Sequence, residues 1–310
     1  MNKLKKIRTW GLIGLAVVFI VPVISLASKT DEIFVNDGAS GKQDGSYNHP
    51  YRTISQAIDE ADGKTKIIVK RGTYKENITV PKNVKITGKS RSDVIIEARN
   101  DNKPTVTMEG KTEISDVTVK GGKPGILVKD DRKGEVTIVN CSIKDSEKDG
   151  IKIERDERNS DNKVNIIDNK IYHNDKSGIY SDKRKVVIMK NEIFENGLDG
   201  VDLDSSVKAY VAKNEINNND GVGLKVRVDN ASVTVEKNTF YNNDKDGIEV
   251  RYAGRAGYVG IKNNKLIKNE DYGIVRIYKD SNSSFNGLVI ENNNTFSENG
   301  KGELAEPIRN

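Results

Sequence analysis

Six glycines, Gly150, Gly178, Gly200, Gly223, Gly247 and Gly273, each precede a run of alternating apolar and outward-facing residues. Two positions past them the chain reads Lys152, Tyr180, Asp202, Lys225, Glu249 and Val275. Four positions past them it reads Glu154, Asp182, Asp204, Arg227, Arg251 and Ile277. If every glycine opens one strand and the strands stack, these residues form two outward columns with neighbours about 4.8 Å apart. Glu154, Asp182 and Asp204 then make a file of like charges, with Asp202 on the same face. Such a file is unfavourable unless something compensates it. Calcium, which takes oxygen ligands from several carboxylates, would do so at Asp182, Asp202 and Asp204. Lys225, Arg227 and Arg251 follow on the next strands. A metal that acidifies a C–H beside a carboxylate, next to Arg227 or Lys225 as the base that removes the proton, is what β-elimination needs. The same columns also read as ordinary solvated charge, with Asp204 and Arg227 as a cross-strand pair.

The elements that would position these columns are written in a repeat. Cys141, Asn169, Asn191, Asn214, Asn238, Asn264 and Asn293 each stand nine residues before a glycine of the series that ends at Gly302. Both series advance together by 28, 22, 23, 24, 26 and 29 residues. A drifting period in the low twenties excludes heptads and is short for a propeller blade, and it suits a solenoid with one rung per repeat. In the rung ending at Gly247, Val233 and Val235 alternate with Thr234 and Glu236, Phe240 follows Asn238, and Ile248 and Val250 follow the glycine. Three short strands and two polar bends per turn describe a parallel β-helix. Neighbouring rungs keep the frame, with Val164/Ile166, Val186/Ile188, Ala209/Val211 and Val259/Ile261 before the bend and Ile143, Ile171, Ile193, Ile216 and Leu266 after it.

Asparagine suits the bend because it tolerates left-handed geometry and its amide can donate to the next amide of a stacked ladder. A second row follows at Asn174, Asn196, Asn219, Asn243 and Asn269. The glycines are expected to supply positive φ where the chain enters the next strand. Cys141 reads as a packed thiol. Using Asn293 in the last rung puts Thr295 at the apolar position, so an irregular terminal coil is expected.

The ends of the chain differ. Lys3, Lys5, Lys6 and Arg8 precede an apolar run from Gly11 to Ala27, closed by Ser25-Leu26-Ala27. This is the pattern of a signal peptide, or of an amino-terminal membrane anchor if it is retained, and either places the remainder outside the cytoplasm, secreted or at the cell surface. One cysteine excludes an internal disulfide. The formal charge of +5 falls to about +1 without those four basic residues, which excludes a nucleic-acid footprint. Two histidines cannot build a histidine metal site. Residues 31–90 hold a short strand at Ile33–Val35 and a glycine-rich loop from Asn36 to Pro50. A capping box follows at Thr53-Ile54-Ser55-Gln56, opening a helix whose Ile54, Ala57, Ile58 and Ala61 share one face. Lys66–Val69, Asn77–Val80 and Val84–Ile86 read as further strands, and the helix is expected to cap the open end of the solenoid. The expected organisation is 1–27 signal or anchor, 28–95 cap and first coils, 96–302 repeats and 303–310 tail.

The stretches VNDGASGKQDGSYNHPYRTISQAI and TKIIVKRGTYKENITV resemble the opening domain, of unknown function, of many bacterial right-handed parallel β-helix proteins. The later rungs resemble the repeats of pectate-lyase-like proteins, a superfamily of calcium-dependent polysaccharide lyases, uronate epimerases, glycosidases and non-catalytic surface proteins. The resemblance places chemistry on the outer face of the post-glycine strands. Leu198-Asp199-Gly200-Val201-Asp202-Leu203 resembles an Asp-Asp-Gly-Phe-Asp-Leu calcium segment of one pectate lyase family, which adds Asp199 to the candidate metal ligands. Leu198 replaces that segment's first acid, Ser177 stands where a further ligand would lie, and Lys225 matches the basic lysine only one rung late. The expectation is therefore an all-β, right-handed parallel β-helix with an amino-terminal helical cap. It would be exported and monomeric, presenting a charged face to an acidic polysaccharide or cell-envelope partner without catalysis. Tyr180, Glu249 and Arg251 would contact the ligand; Tyr180, Tyr252 and Tyr278 could stack on sugar rings. The alternatives are a calcium-dependent uronate lyase or epimerase, with Asp182, Asp199, Asp202 and Asp204 on metal and Arg227 or Lys225 as base, and a purely structural surface protein.

Overall fold

The computed structural model describes residues 31–130, 134–157, 162–278, 286–305 and 308–309. The expected signal or anchor at 1–27 and part of the expected tail at 303–310 lie outside them. The chain coils into three parallel sheets of eleven, eleven and ten strands, each strand pairing with its counterpart one rung away. One sheet collects the strands before the asparagine bend, such as Lys185–Met189, Lys208–Ala212 and Ser232–Glu236. The second collects those between the two bends, such as Glu192–Phe194 and Glu215–Asn217. The third is the post-glycine sheet, including Ile151–Ile153, Ile179–Ser181 and Val201–Leu203.

Register explains the core. Val186 pairs with Ala209 and Ala209 with Val233, Ile188 with Val211 and Val211 with Val235, and Ile193 with Ile216 and Ile216 with Phe240. Each apolar position thus stacks on its own kind, and the interior is a continuous file of buried Ile, Val and Leu. Full burial of one such side chain contributes about 1.5–3 kcal/mol.

Both asparagine rows form ladders. Asn191 Nδ2 donates to Asn214 Oδ1 at 3.0 Å and Asn214 Nδ2 to Asn238 Oδ1 at 2.9 Å; in the second row Asn196 donates to Asn219 at 2.9 Å. The first row ends on Asn294, not Asn293: Asn264 Nδ2 donates to Asn294 Oδ1 at 3.0 Å. One extra residue in the last bend restores Phe296 to the apolar file opposite Leu266. Cys141 caps the ladder's other end, its backbone N–H donating to Asn169 Oδ1 at 2.9 Å, and full burial pushes its thiol up to about 12.

Two expectations about the backbone are corrected. Left-handed geometry falls on the residue before each asparagine, at Asp168, Lys190, Lys213 and Lys237, not on the asparagine itself. The repeat glycines from Gly150 to Gly273 do not have positive φ. Glycine is required there because a Cβ would strike the next rung. At Gly200 it would lie 2.7 Å from the Gly223 carbonyl oxygen and 2.5 Å from Ile216 Cγ2.

Near the amino-terminal end, strands Glu32–Val35, Lys66–Val69, Ile78–Val80 and Lys85–Gly88 agree with the sequence reading; Gly72–Lys75 adds a strand it lacked. The helix Ile54–Asp59 carries the expected capping box and buries Ile54 and Ala57 against the first strands. The Glu76 carboxylate accepts from the N–H groups of Ile54 and Ser55 at 2.8 and 2.9 Å, where the helix dipole favours negative charge.

Candidate functional site

Rungs ending near Leu203 use three-residue strands in the post-glycine sheet, whereas the next three are long: Leu224–Asp229, Ile248–Arg255 and Tyr272–Tyr278. Continued alternation of Leu224, Val226 and Val228 with Lys225, Arg227 and Asp229 is the local cause. The extension raises a wall, in which Val228 pairs with Tyr252 and Tyr252 with Tyr278. The two tyrosine rings meet edge to face with centroids 6.2 Å apart. Beyond a register shift at Val228/Asp229, Asp229 and Arg255 form a two-pronged ion pair.

Where short strands give way to long ones lies a cleft of about 550 Å³, lined by Asp202, Asp204, Lys225, Arg227, Arg251, Tyr252, Ala253, Ile277 and Tyr278. Of the expected site residues, Asp202, Asp204, Lys225, Arg227 and Arg251 reach it. Tyr180, Asp182, Asp199 and Glu249 do not line it. Tyr180 lies one rung short, its hydroxyl donating to Asp204 Oδ2 at 3.3 Å. Asp199 is a turn residue: Oδ1 accepts the Val222 N–H at 2.9 Å and Oδ2 accepts from Lys225 Nζ at 3.3 Å. Glu249 is buried and takes Arg251 Nε at 3.0 Å. Arg155, which sequence reasoning missed, sits 3.7 Å from Asp182 Oδ2. Its signal was its place directly after Glu154, at the end of the acidic column.

The acidic file is compensated from within the chain. Lys225 Nζ stands 3.3 Å from Asp199 and 3.7 Å from Asp202, Arg227 Nη1 stands 3.4 Å from Asp204, and Arg155 serves Asp182. Among the described residues no three His, Cys, Asp or Glu side chains are grouped to hold a metal ion. Each carboxylate of the expected calcium set thus has a cation of the chain beside it.

Burial would lower Lys225, but the carboxylates of Asp199 and Asp202 outweigh it and hold the ammonium above its ordinary value. Lys225 is therefore held as a cation near neutrality. Asp202 is the group that exchanges a proton: burial, opposed by Lys225 and reinforced by Asp199 and Asp204, pushes its carboxyl up to about 6.

That shift has a consequence for stability. Between about pH 4 and 6 the folded chain retains a proton on Asp202 that the unfolded chain has released, so this group's contribution to stability falls as pH rises through that window. Asp202→Asn removes the effect. The stability of the variant relative to the parent should rise by about 2–3 kcal/mol from pH 4 to pH 7 in denaturant titrations. Parallel pH profiles for the two chains would contradict the shift.

Comparison with known proteins agrees with the architecture. Residues 157–305 match the family model "Right handed beta helix region", and residues 37–94 match a protein family of unknown function, DUF1565. The pectate lyase Pel9A superposes with a TM-score of 0.62 at 16% identity, covering 86% of this chain and 80% of that one. The A-module of the Azotobacter vinelandii mannuronan C-5 epimerase AlgE4 gives 0.51 at 14% identity, covering 89% of this chain and all of the module. A pectinesterase of Daucus carota is 34% identical over 87 residues, so the match spans about a quarter of that relative's length and of this chain. At such identities the structural likeness is one of fold. With three parallel sheets, almost no helix and a matching repeat model, the chain is a right-handed parallel β-helix protein of pectate-lyase-like fold.

Proposed function

We propose that the protein is an exported carbohydrate-binding β-helix that holds an acidic polysaccharide in the post-glycine cleft. The observation that carries this reading is the pairing of two arginines in register on adjacent rungs, Arg227 and Arg251, beneath the Tyr252–Tyr278 wall. Rungs repeat at about 4.8 Å, close to the advance of one sugar along an extended chain, so successive carboxylates can meet successive guanidinium groups. Tyrosine beside them offers an aromatic surface to a pyranose ring. The carbohydrate-active neighbours of this fold, and the export pattern of residues 1–27, support the same reading.

Calorimetric titration with oligogalacturonate tests it. Saturable binding is expected, and Arg227→Ala should weaken it by about tenfold, since that side chain is half exposed and its loss leaves the fold intact. Absence of saturable binding, or full affinity in the variant, would contradict the proposal.

A second reading, that the cleft also transforms the uronate, is favoured by Asp202 with its proton exchange near pH 6 beside the Lys225 cation. In β-elimination the carboxylate of Asp202 would take the proton α to the uronate carboxyl. The electron pair would form the ring double bond and expel the glycosidic oxygen, which leaves protonated by water. Unsaturated product, absent in Asp202→Asn while binding persists, would establish it; binding without product leaves the non-catalytic module.

A further inference from the structure

The cleft is dipolar along the axis of the stack. Its floor passes from Asp202 and Asp204 through Lys225 and Arg227 to Arg251 over three successive rungs. Behind the acidic end stands Asp182, whose Oδ1 is buried and accepts no hydrogen bond from the described residues. Behind the basic end stand the tyrosines.

A ligand that carries only negative charge meets this arrangement at a disadvantage. At Arg227 its carboxylate must compete with Asp204, 3.4 Å from the guanidinium. Asp204 would keep the Tyr180 hydroxyl and the Ser205 N–H and hydroxyl as donors, but it would lose its cation. It would then face Asp182 and Asp202 as an uncompensated like charge. A ligand bringing its own cation avoids this exchange, because its ammonium can take the place that Arg227 leaves. The rungs of Asp204 and Arg251 are two apart, about 10 Å, which is the reach of two pyranose rings.

We propose, resting on the reading of this cleft as a glycan site, that its ligand is zwitterionic: a polysaccharide with a free amino sugar next to a uronate. The ammonium lies at Asp204, beside Asp182, and the carboxylate lies between Arg227 and Arg251.

The test uses oligosaccharides of alternating glucuronate and glucosamine, once with free amines and once N-acetylated, and oligogalacturonate as the purely anionic probe. N-acetylation removes the positive charge and adds an acetyl group, and the Asp204→Asn variant separates the two effects. Titrated into the purified full chain in EDTA, the free-amine form should bind about tenfold tighter than the acetylated form. Asp204→Asn should weaken the free-amine form and tighten the acetylated one, so that the ratio collapses to about one. Asp182→Asn should reduce the ratio by a smaller factor and serves if Asp204→Asn fails to fold. Equal affinities for both forms, with binding still lost in Arg227→Ala, would overturn the zwitterionic assignment and leave the acidic-glycan reading standing. A preference for the free amine that survives Asp204→Asn also overturns it. No binding of any probe would sink both.

Discussion

Asn214→Ala should destabilise the chain by about 4 kcal/mol or more, out of proportion to the few atoms removed. Asn214 Oδ1 accepts from the Asn191 N–H at 2.9 Å and from Asn191 Nδ2 at 3.0 Å. Its own amide donates to the Ile188 carbonyl and to Asn238 Oδ1, both at 2.9 Å. Truncation therefore removes four hydrogen bonds inside the stack, each worth about 1 kcal/mol; the Asn191 N–H loses its Asn214 partner, whereas Asn191 Nδ2 keeps the Ile166 carbonyl and Asn238 Oδ1 keeps the Asn214 N–H. Asn214→Asp separates hydrogen bonding from volume. It keeps the acceptor but loses both donors and buries a charge, so it should be as damaging as alanine at pH 7 and less so in acid. Asn242→Ala is the control: that amide lies on the surface and donates to Asn218, and alanine at its left-handed backbone adds about 1–2 kcal/mol of strain, well below the loss expected at Asn214. Denaturant unfolding reads all three; comparable losses at Asn214 and Asn242 would show that the ladder does not hold the rungs together.

Gly223→Ala should be destabilising by about 3 kcal/mol or more. A Cβ there would lie 2.7 Å from the Gly247 carbonyl oxygen, 2.9 Å from Phe240 Cδ1 and 3.0 Å from Asn243 Nδ2. None of the three can yield cheaply. The Gly247 carbonyl is held by the Leu224 N–H at 3.0 Å, Phe240 is fully buried, and Asn243 is bonded into the second ladder. Gly38→Ala meets only Asn36 Oδ1 at 3.5 Å and should shift stability by less than about 0.5 kcal/mol. A tolerated alanine at Gly223 would mean that adjacent rungs are further apart than the structure places them. Because Gly223 opens the rung that carries Lys225 and Arg227 into the cleft, loss of this contact should also loosen their alignment.

The architecture was legible because period and alternation are properties of the sequence itself. Val186, Ala209 and Val233 stand at one offset from successive asparagines, and the chain places them in one register. The columns Asp202–Lys225–Glu249 and Arg227–Arg251 could be written down for the same reason. What the sequence did not reveal depends on contacts between rungs rather than on offsets within one. The reason for glycine lies in the carbonyl of the following rung, and a local reading supplies positive φ instead. Asn294 displaces Asn293 because the ladder selects the amide that reaches Asn264. Arg155 becomes a partner of Asp182 only once the rungs stack. The cleft wall was missed although its signal was present: Leu224 to Asp229 alternates over six residues where earlier rungs alternate over three. The contacts of Lys225 were likewise hidden, because Asp199 and Asp202 reach it from the neighbouring rung.

The central claim is that a glycan lies along the post-glycine cleft, and a crystal structure of the chain grown with oligogalacturonate tests it most directly. The account expects sugar density running parallel to the stack axis over Ala253 and Ile277, with carboxylates at Arg227 and Arg251 and a ring against Tyr252 or Tyr278. Density on another face, or an empty cleft at a concentration that saturates binding in solution, would contradict it.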